Sequence, residues 1–488
     1  MQSRISVSIA NNVKYMLNKS TSDMLRILIF LSALVILNSP WCFCQSDTYP
    51  PDQGEKRAVI DSVSKWLREY YVFPDVAEQC IERMNQQFES GAYDKKMKMH
   101  VEFIRLLNAD LLEVSNDKHL KVLALFGVEE EADELPLAEA VEYNHFLKRG
   151  NYGFINVMWK RDNIGLLEFR AFCNPDVAGE KVRTVMGFLS DMDALIIDLR
   201  SMVMGGRPEM VNLICSYFFE EPTLLNRTYF RQEDIMEEDW TFPIKDQPAL
   251  RDIPLYILVD EDVFSAGEAF TYSLQALGRA TVIGEKTGGG AHLTRPFRIG
   301  TRFEAKIPWG RAINPISNSN WEGTGVVPDI QVKSENALDR ALELAKEEAL
   351  KRRELREQKD LELVEEFSAQ LDEIQKKYKA GNLDEAIQIL EKVLKKGSGS
   401  ELISPEMIDD AGHYYLDHDM IELARLCFNF NIKFNPDPIF LSYYYYSLAE
   451  ADQKAGEKGN AKINLKKSLE LDPNNQWAKK MLREIDDN

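Results

Sequence analysis

The chain has 488 residues, 44% of them hydrophobic and 28% charged, which is the balance of a globular protein with room for two to four domains. Its formal net charge of −20 argues against binding to nucleic-acid backbone or to an anionic membrane surface, and no basic stripe reverses that. The six histidines form no metal-ligand pair at helical spacing, so no metal site is indicated.

Arg26 precedes the apolar run Ile27–Leu37, and Pro40, Cys42 and Cys44 follow it. This is the pattern of a secretory leader cut before Gln45, and it predicts an exported protein, periplasmic or extracellular. Translation from Met16 or Met24 would give a leader of more usual length. An uncleaved membrane span would need about 20 apolar residues, so a membrane anchor is the weaker reading. The cysteines beyond the leader (Cys80, Cys173, Cys215 and Cys427) have no metal-binding spacing. A Cys173–Cys215 disulfide and buried free thiols both remain open.

Residues 45–135 read as an N-terminal helical domain, because "AVIDSVSKWLREYYV" and "MHVEFIRLLNADLLEVS" carry apolar residues three and four apart. Over 136–335 the texture changes to short β-branched runs, "IGLLEFRAF", "ALIIDLR", "PLYILVDE" and "ATVIGE". Helical patterns such as "PEMVNLICSYFF" lie between them. Strands alternating with helices predict an α/β domain with a largely parallel sheet. Residues 336–375 mix both charges along a helical run and read as a solvated connecting helix. Residues 376–488 repeat. Ala386, Ala424 and Ala461 recur at intervals of 38 and 37, and Pro436 and Pro473 at 37. That pattern predicts stacked helix pairs of the tetratricopeptide type, either a groove for a protein partner or a structural cap.

The stretch "VFSAGEAF" supports two readings of Ser265. With Glu268 three residues on, Ser265 forms a capping box at a helix start. At a strand-to-helix turn it also stands where many hydrolases expose a nucleophile. Glu268 is explained by the cap, and Gly288, Gly289 and Gly290 read as a tight loop or as backbone for close approach to a substrate.

Together, "VFSAGEAFTYSLQALGRATVIGEKTGGGAH", "ALIIDLRSMVMGG", "NWEGTGVVPDI" and "VSNDKHLKV" resemble the tail-specific (C-terminal processing) serine peptidases over about residues 55–335. The likeness is to the branch that contains tricorn core protease and interphotoreceptor retinoid-binding protein. It implies a crotonase/Clp protease-like core, Ser265 as nucleophile, His119 as general base and Glu322 as its carboxylate. A Ser–Lys dyad is not expected, because the position 25 residues after Ser265 is Gly290. Lys286 is off register, and His292 is a competing base. The oxyanion hole is expected at the N–H of Ala266 and at Gly205 or Gly206, although Ser201–Met204 depart from the family's glycine-rich turn. About 40 residues separate "HLKVL" from "IGLLEF", too few for the PDZ domain many relatives insert. The resemblance implies an endopeptidase acting on a polypeptide substrate, a serine hydrolase with no metal or organic cofactor. The alternatives are an inactive relative that binds an apolar ligand, or an interaction scaffold.

Overall fold

The computed structural model describes residues 49–94, 99–125, 137–200, 205–244, 250–400 and 402–487. The expected leader and the turn Ser201–Met204 lie outside these residues. The chain divides into two compact units, Met1–Glu347 and Glu348–Asn488.

The first unit begins with three helices, α1 (Gln53–Tyr70), α2 (Pro74–Glu89) and α3 (His100–Ser115). The Asp52 carboxylate caps α1 by accepting from Glu55 N–H at 2.8 Å, and Pro74 opens α2 where its missing N–H costs nothing. Apolar residues at helical spacing form one core: Val59, Val63 and Leu67 on α1, Ala77 and Met84 on α2, and Phe103 and Leu107 on α3. Helix α3 ends at Asn116, whose left-handed backbone (φ 53°) turns the chain sharply into Asp117 and His119.

The remaining elements are β1 (Lys121–Ala124), α4 (Leu137–Arg149), β2 (Phe154–Lys160), β3 (Ile164–Phe169), α5 (Pro175–Leu189), β4 (Ala194–Asp198), α6 (Pro208–Ser216), β5 (Leu224–Phe230) and β6 (Ile235–Trp240). They continue with β7 (Leu255–Val259), α7 (Ala266–Ala276), β8 (Thr281–Gly284), β9 (His292–Ile299), β10 (Phe303–Ile313) and β11 (Ile330–Gln331). One sheet has the order β11-β8-β7-β4-β3-β2 and is parallel except for β2. All five residues of β4 and all five of β7 are buried, as continuous apolar runs covered on both faces require. A second sheet, β1-β10-β5-β6 with β9 also on β10, is wholly antiparallel. The sequence predicts the parallel sheet but not this one. Phe303, Ala305 and Ile307 of β10 complete the core of the N-terminal helices.

A single helix, α8 (Ser334–Lys379), carries the charged run. It differs from a fully solvated connector at its start, where Ala337, Ala341 and Ala345, four residues apart, are completely buried. Ser334 ties that start to the parallel sheet, its hydroxyl donating to Asp260 Oδ2 at 3.1 Å.

In the second unit, α9 (Leu383–Gly399), α10 (Pro405–Asp417), α11 (Ile421–Phe434), α12 (Pro438–Lys454), α13 (Lys458–Leu471) and α14 (Gln476–Asp486) follow one another through short turns. Ala386, Ala424 and Ala461 lie in the first turn of α9, α11 and α13 and are fully buried. Small side chains there let neighbouring helices approach closely. Pro436 and Pro473 fall just past the ends of α11 and α13, where a helix cannot continue.

Cys80, Cys173, Cys215 and Cys427 are all free and buried, so Cys173 and Cys215 are not paired. Among the described residues no helix is long and apolar enough to cross a membrane.

Candidate active site

The site lies at the C-terminal edge of the parallel sheet, where the turn after β7 reaches the start of α7. Ser265 occupies that turn with φ 56° and ψ −117°, a conformation that costs a non-glycine residue about 1–3 kcal/mol. The surroundings hold it there. Its N–H donates to Glu268 Oε2 at 3.0 Å, one half of the predicted capping box. Glu268 is completely buried and accepts three further bonds, from Thr287 Oγ1 (2.5 Å), Gly289 N–H (2.7 Å) and Gly290 N–H (2.8 Å). Burial raises its pKa, and the four donors oppose that rise.

Every backbone N–H and carbonyl of the three loop glycines already has a partner within the chain. Gly288 N–H donates to Val263 O (2.9 Å), and the carbonyls of Gly288, Gly289 and Gly290 accept from Lys118 Nζ, Gly323 N–H and Trp321 Nε1. Their lack of side chains serves close packing. A Cβ on Gly290 would lie 2.2 Å from Phe264 Cζ and 2.6 Å from His119 Cε1. The loop therefore clamps Phe264 and His119 beside Ser265.

Both expected oxyanion donors are near. Ala266 is the first residue of α7, so its N–H has no acceptor within the helix. Gly205 packs directly on the serine, and a Cβ there would be 3.2 Å from Ser265 Oγ. Gly206 is held against β3's extension instead, where a Cβ would meet Phe172 O at 2.2 Å.

His119 and His292 both line the cleft of about 320 Å³ that Ser265 opens into. No hydrogen bond joins Ser265 Oγ to either imidazole in this structure. The ring of His119 packs on Phe264 with centroids 4.6 Å apart, and its Nδ1 is buried without a partner. Burial is the main reason its pKa falls to about 4; His292, Lys121 and Lys306 add to the fall and Asp117 opposes it. It is therefore neutral at pH 7, as a base must be.

The Glu322 carboxylate does not reach His119. Its Oε2 accepts from Ala291 N–H (2.6 Å) and lies 3.5 Å from His292 Nδ1. His292 in turn donates from Nδ1 to Asp117 Oδ2 at 2.7 Å, and its buried Nε2 has no partner. The sequence marks His292 as a competing base but assigns no role to Asp117. That carboxylate also accepts from His119 N–H (2.9 Å) and Tyr71 OH (3.3 Å), so it supports both histidines. Its pKa is pushed up by burial and pulled further down by His292, with a net fall; Glu322 is held up to about 7 by burial and by the Asp117 charge. Two neighbouring carboxyls are thus driven apart, one favouring its ionised form and the other titrating near neutrality. Asp117, His292 and Glu322 each offer one atom within 4.8 Å of the others, a spacing that could hold a metal ion. The 2.7 Å hydrogen bond commits the Nδ1 proton of His292 to Asp117, and in that protonated state the group reads as an acid–base cluster.

Residues 163–332 match peptidase family S41, and residues 53–145 match the N-terminal domain of peptidase S41 in eukaryotic IRBP. The chain is a member of peptidase family S41, a serine-peptidase family. Among curated proteins, the "Probable CtpA-like serine protease" of Staphylococcus haemolyticus is 28% identical over 193 residues. The match takes in 38% of this chain and 37% of that protein's length, so the chain spans little more than a third of this S41 relative. Two solved structures similar to this chain are a lipoprotein from Streptococcus agalactiae and the photosystem II D1 C-terminal processing protease. The first is 16% identical, covering 61% of this chain and 98% of its own, with a TM-score of 0.39. The second is 14% identical, covering 58% and 94%, with a TM-score of 0.37. Neither family match extends into the C-terminal repeats.

Proposed function

We propose that this S41 chain is an exported serine endopeptidase with a crotonase/Clp-like core, that Ser265 forms its acyl-enzyme and that His119 is the general base. The observation that carries the reading is the strained Ser265 turn, with Gly205 against its Oγ and the uncommitted N–H of Ala266 beside it. Ser265 Oγ attacks a peptide carbonyl and passes its proton to the neutral His119. The oxyanion is met by Ala266 N–H and by a donor from Gly205 or Gly206; each such donor contributes about 10²–10³ in rate. The imidazolium then returns its proton to the leaving amine, and water hydrolyses the ester by the reverse route. A positioned base contributes about 10²–10⁴. The C-terminal helices form a tetratricopeptide-like array that engages a protein partner or the substrate.

The 2.7 Å Asp117–His292 bond favours a second assignment of the base. It fixes the imidazole tautomer that leaves Nε2 free to accept a proton, the task a triad carboxylate performs. Fluorophosphonate labelling of the chain from Gln45, read by intact mass, tests both. A single adduct that is lost in Ser265→Ala and His119→Ala and kept in His292→Ala supports the first assignment. Loss in His292→Ala alone among the histidine variants moves the base to His292. No adduct on a folded wild-type chain rejects the hydrolase reading and favours an inactive ligand-binding or scaffold role.

A further inference from the structure

The cleft that begins at Ser265 runs along one face of α7, past Ala266, Ala269 and Ser273, and reaches the β5–β6 hairpin. Its walls are apolar, with Val211, Leu225, Ala312 and Trp321 among them. The hairpin end is different. Asn226 of β5 and Asp239 of β6 stand opposite each other in register, and both line the cavity. Asn226 is 8% exposed, and its Oδ1 is buried with no hydrogen-bond partner. Asp239 accepts one bond, from Asn212 Nδ2 at 3.2 Å. Among the described residues no cation pairs with it.

A buried acceptor with no donor, Asn226 Oδ1, beside a half-buried carboxylate with one donor and no counter-charge, Asp239, is costly at the end of an apolar channel. A buried carboxylate without a counter-charge is disfavoured, and a buried acceptor without a donor loses about 1–3 kcal/mol. The electrostatics around Asp239 make this worse: burial raises its pKa first, and the nearby Glu209 and Glu237 raise it further. Arg207 also lines the cleft, but it is exposed and makes no ion pair with Asp239. What would relieve the site is a group with several N–H donors and a positive charge, carried on a long aliphatic stem that lies along the apolar walls.

We infer that the cleft beside Ser265 is a side-chain pocket for lysine or arginine of a polypeptide substrate, with Asp239 and Asn226 as the residues that select the charge. The inference rests on the peptidase reading for its biological sense, but the pocket can be tested without catalysis. The full chain with Ser265→Ala is titrated with a synthetic peptide library in which lysine, arginine, norleucine, glutamine and glutamate vary at each position. Retained peptides are read by mass spectrometry at physiological salt. Lysine and arginine should be enriched over norleucine about tenfold or more at one position, and Asp239→Asn should bring that enrichment to within about twofold. The Asn variant keeps an acceptor for Asn212, so its fold is preserved, and Asp239→Lys should reverse the preference. The comparison with Asp239→Asn also removes the general attraction of basic peptides to a chain of charge −20.

Enrichment that survives in Asp239→Asn, or no basic preference at any position, overturns the inference. Fluorophosphonate labelling of the wild-type chain separates the two readings. Labelling without basic preference leaves the hydrolase standing and removes the pocket assignment. Basic preference without labelling keeps the pocket and removes the hydrolase.

Discussion

Glu322 offers a pH test whose sign and size follow from its surroundings. Burial, and then the charge of Asp117, hold its carboxyl up to about 7 from an ordinary 4.5. A carboxyl raised in the fold stabilises the native state while it is protonated. That contribution is complete below 4.5, where the unfolded chain is protonated too, and it is lost by about pH 7. Glu322→Gln removes the titration and leaves an oxygen for Ala291 N–H, so the variant should gain on wild type as pH rises. Between about pH 5.5 and the folded pKa the gain spans roughly 1.5 units, or up to about 2 kcal/mol at 1.36 kcal/mol per unit. In a unit that runs to Glu347 that is a relative rise of about 3 °C in Tm. Urea and thermal unfolding of both proteins at about pH 5.5 and about pH 8.5, followed by tryptophan fluorescence, measure it. A stability difference that is the same at both pH values would refute the reasoning, because it would mean that Glu322 is ionised in the fold throughout.

Two substitutions probe the clamp around Ser265. Gly290→Ala puts a methyl group 2.2 Å from Phe264 and 2.6 Å from His119, so it should destabilise by about 1–3 kcal/mol and suppress fluorophosphonate labelling; unchanged labelling would show that His119 is not held by this loop. Glu268→Gln presents an amide NH₂ to two of the four donors that now meet a carboxylate. It should cost about 2–6 kcal/mol, measured by denaturant unfolding, and a loss under about 1 kcal/mol would contradict the four-bond geometry.

What the sequence makes legible depends on the range of the forces involved. The strands "ALIID" and "LYILV" are readable because full burial requires every residue to be apolar, and the Ser265 turn is readable because Ser, Gly and Glu set its cap locally. The antiparallel sheet is harder. Strand β10 alternates buried and part-buried residues, a period-two signal in "FEAKIPWGRAI", but the bulge between Pro308 and Gly310 shifts its phase. Strand β6 is exposed along nearly its whole length and carries no apolar period to detect. The acid–base cluster is the extreme case. Asp117 and His292 are 175 residues apart, and nothing local to "NDKH" or "GGAH" marks their meeting. Motif resemblance supplies His119 and Glu322 separately, yet it is the packing of β9 against the α3–β1 turn that decides which imidazole each carboxylate touches.

The dual role of Asp117 turns that ambiguity into a decisive experiment. In Asp117→Asn the amide oxygen can still accept from His119 N–H, so the backbone that places His119 is kept. The amide NH₂ then faces His292 Nδ1, which must give up its proton to accept the new bond. The proton moves to Nε2, and His292 loses the lone pair a base would use. This is a change of tautomer with little change of shape, the effect expected when a triad carboxylate becomes an amide. If His119 is the base, Asp117→Asn should retain most of the fluorophosphonate labelling rate. If His292 is the base, the rate should fall by about 10²–10⁴, with the variant as folded as wild type by circular dichroism. A retained rate in Asp117→Asn together with a lost adduct in His292→Ala would break the link between the Asp117–His292 bond and catalysis, leaving His292 a structural support for the cleft.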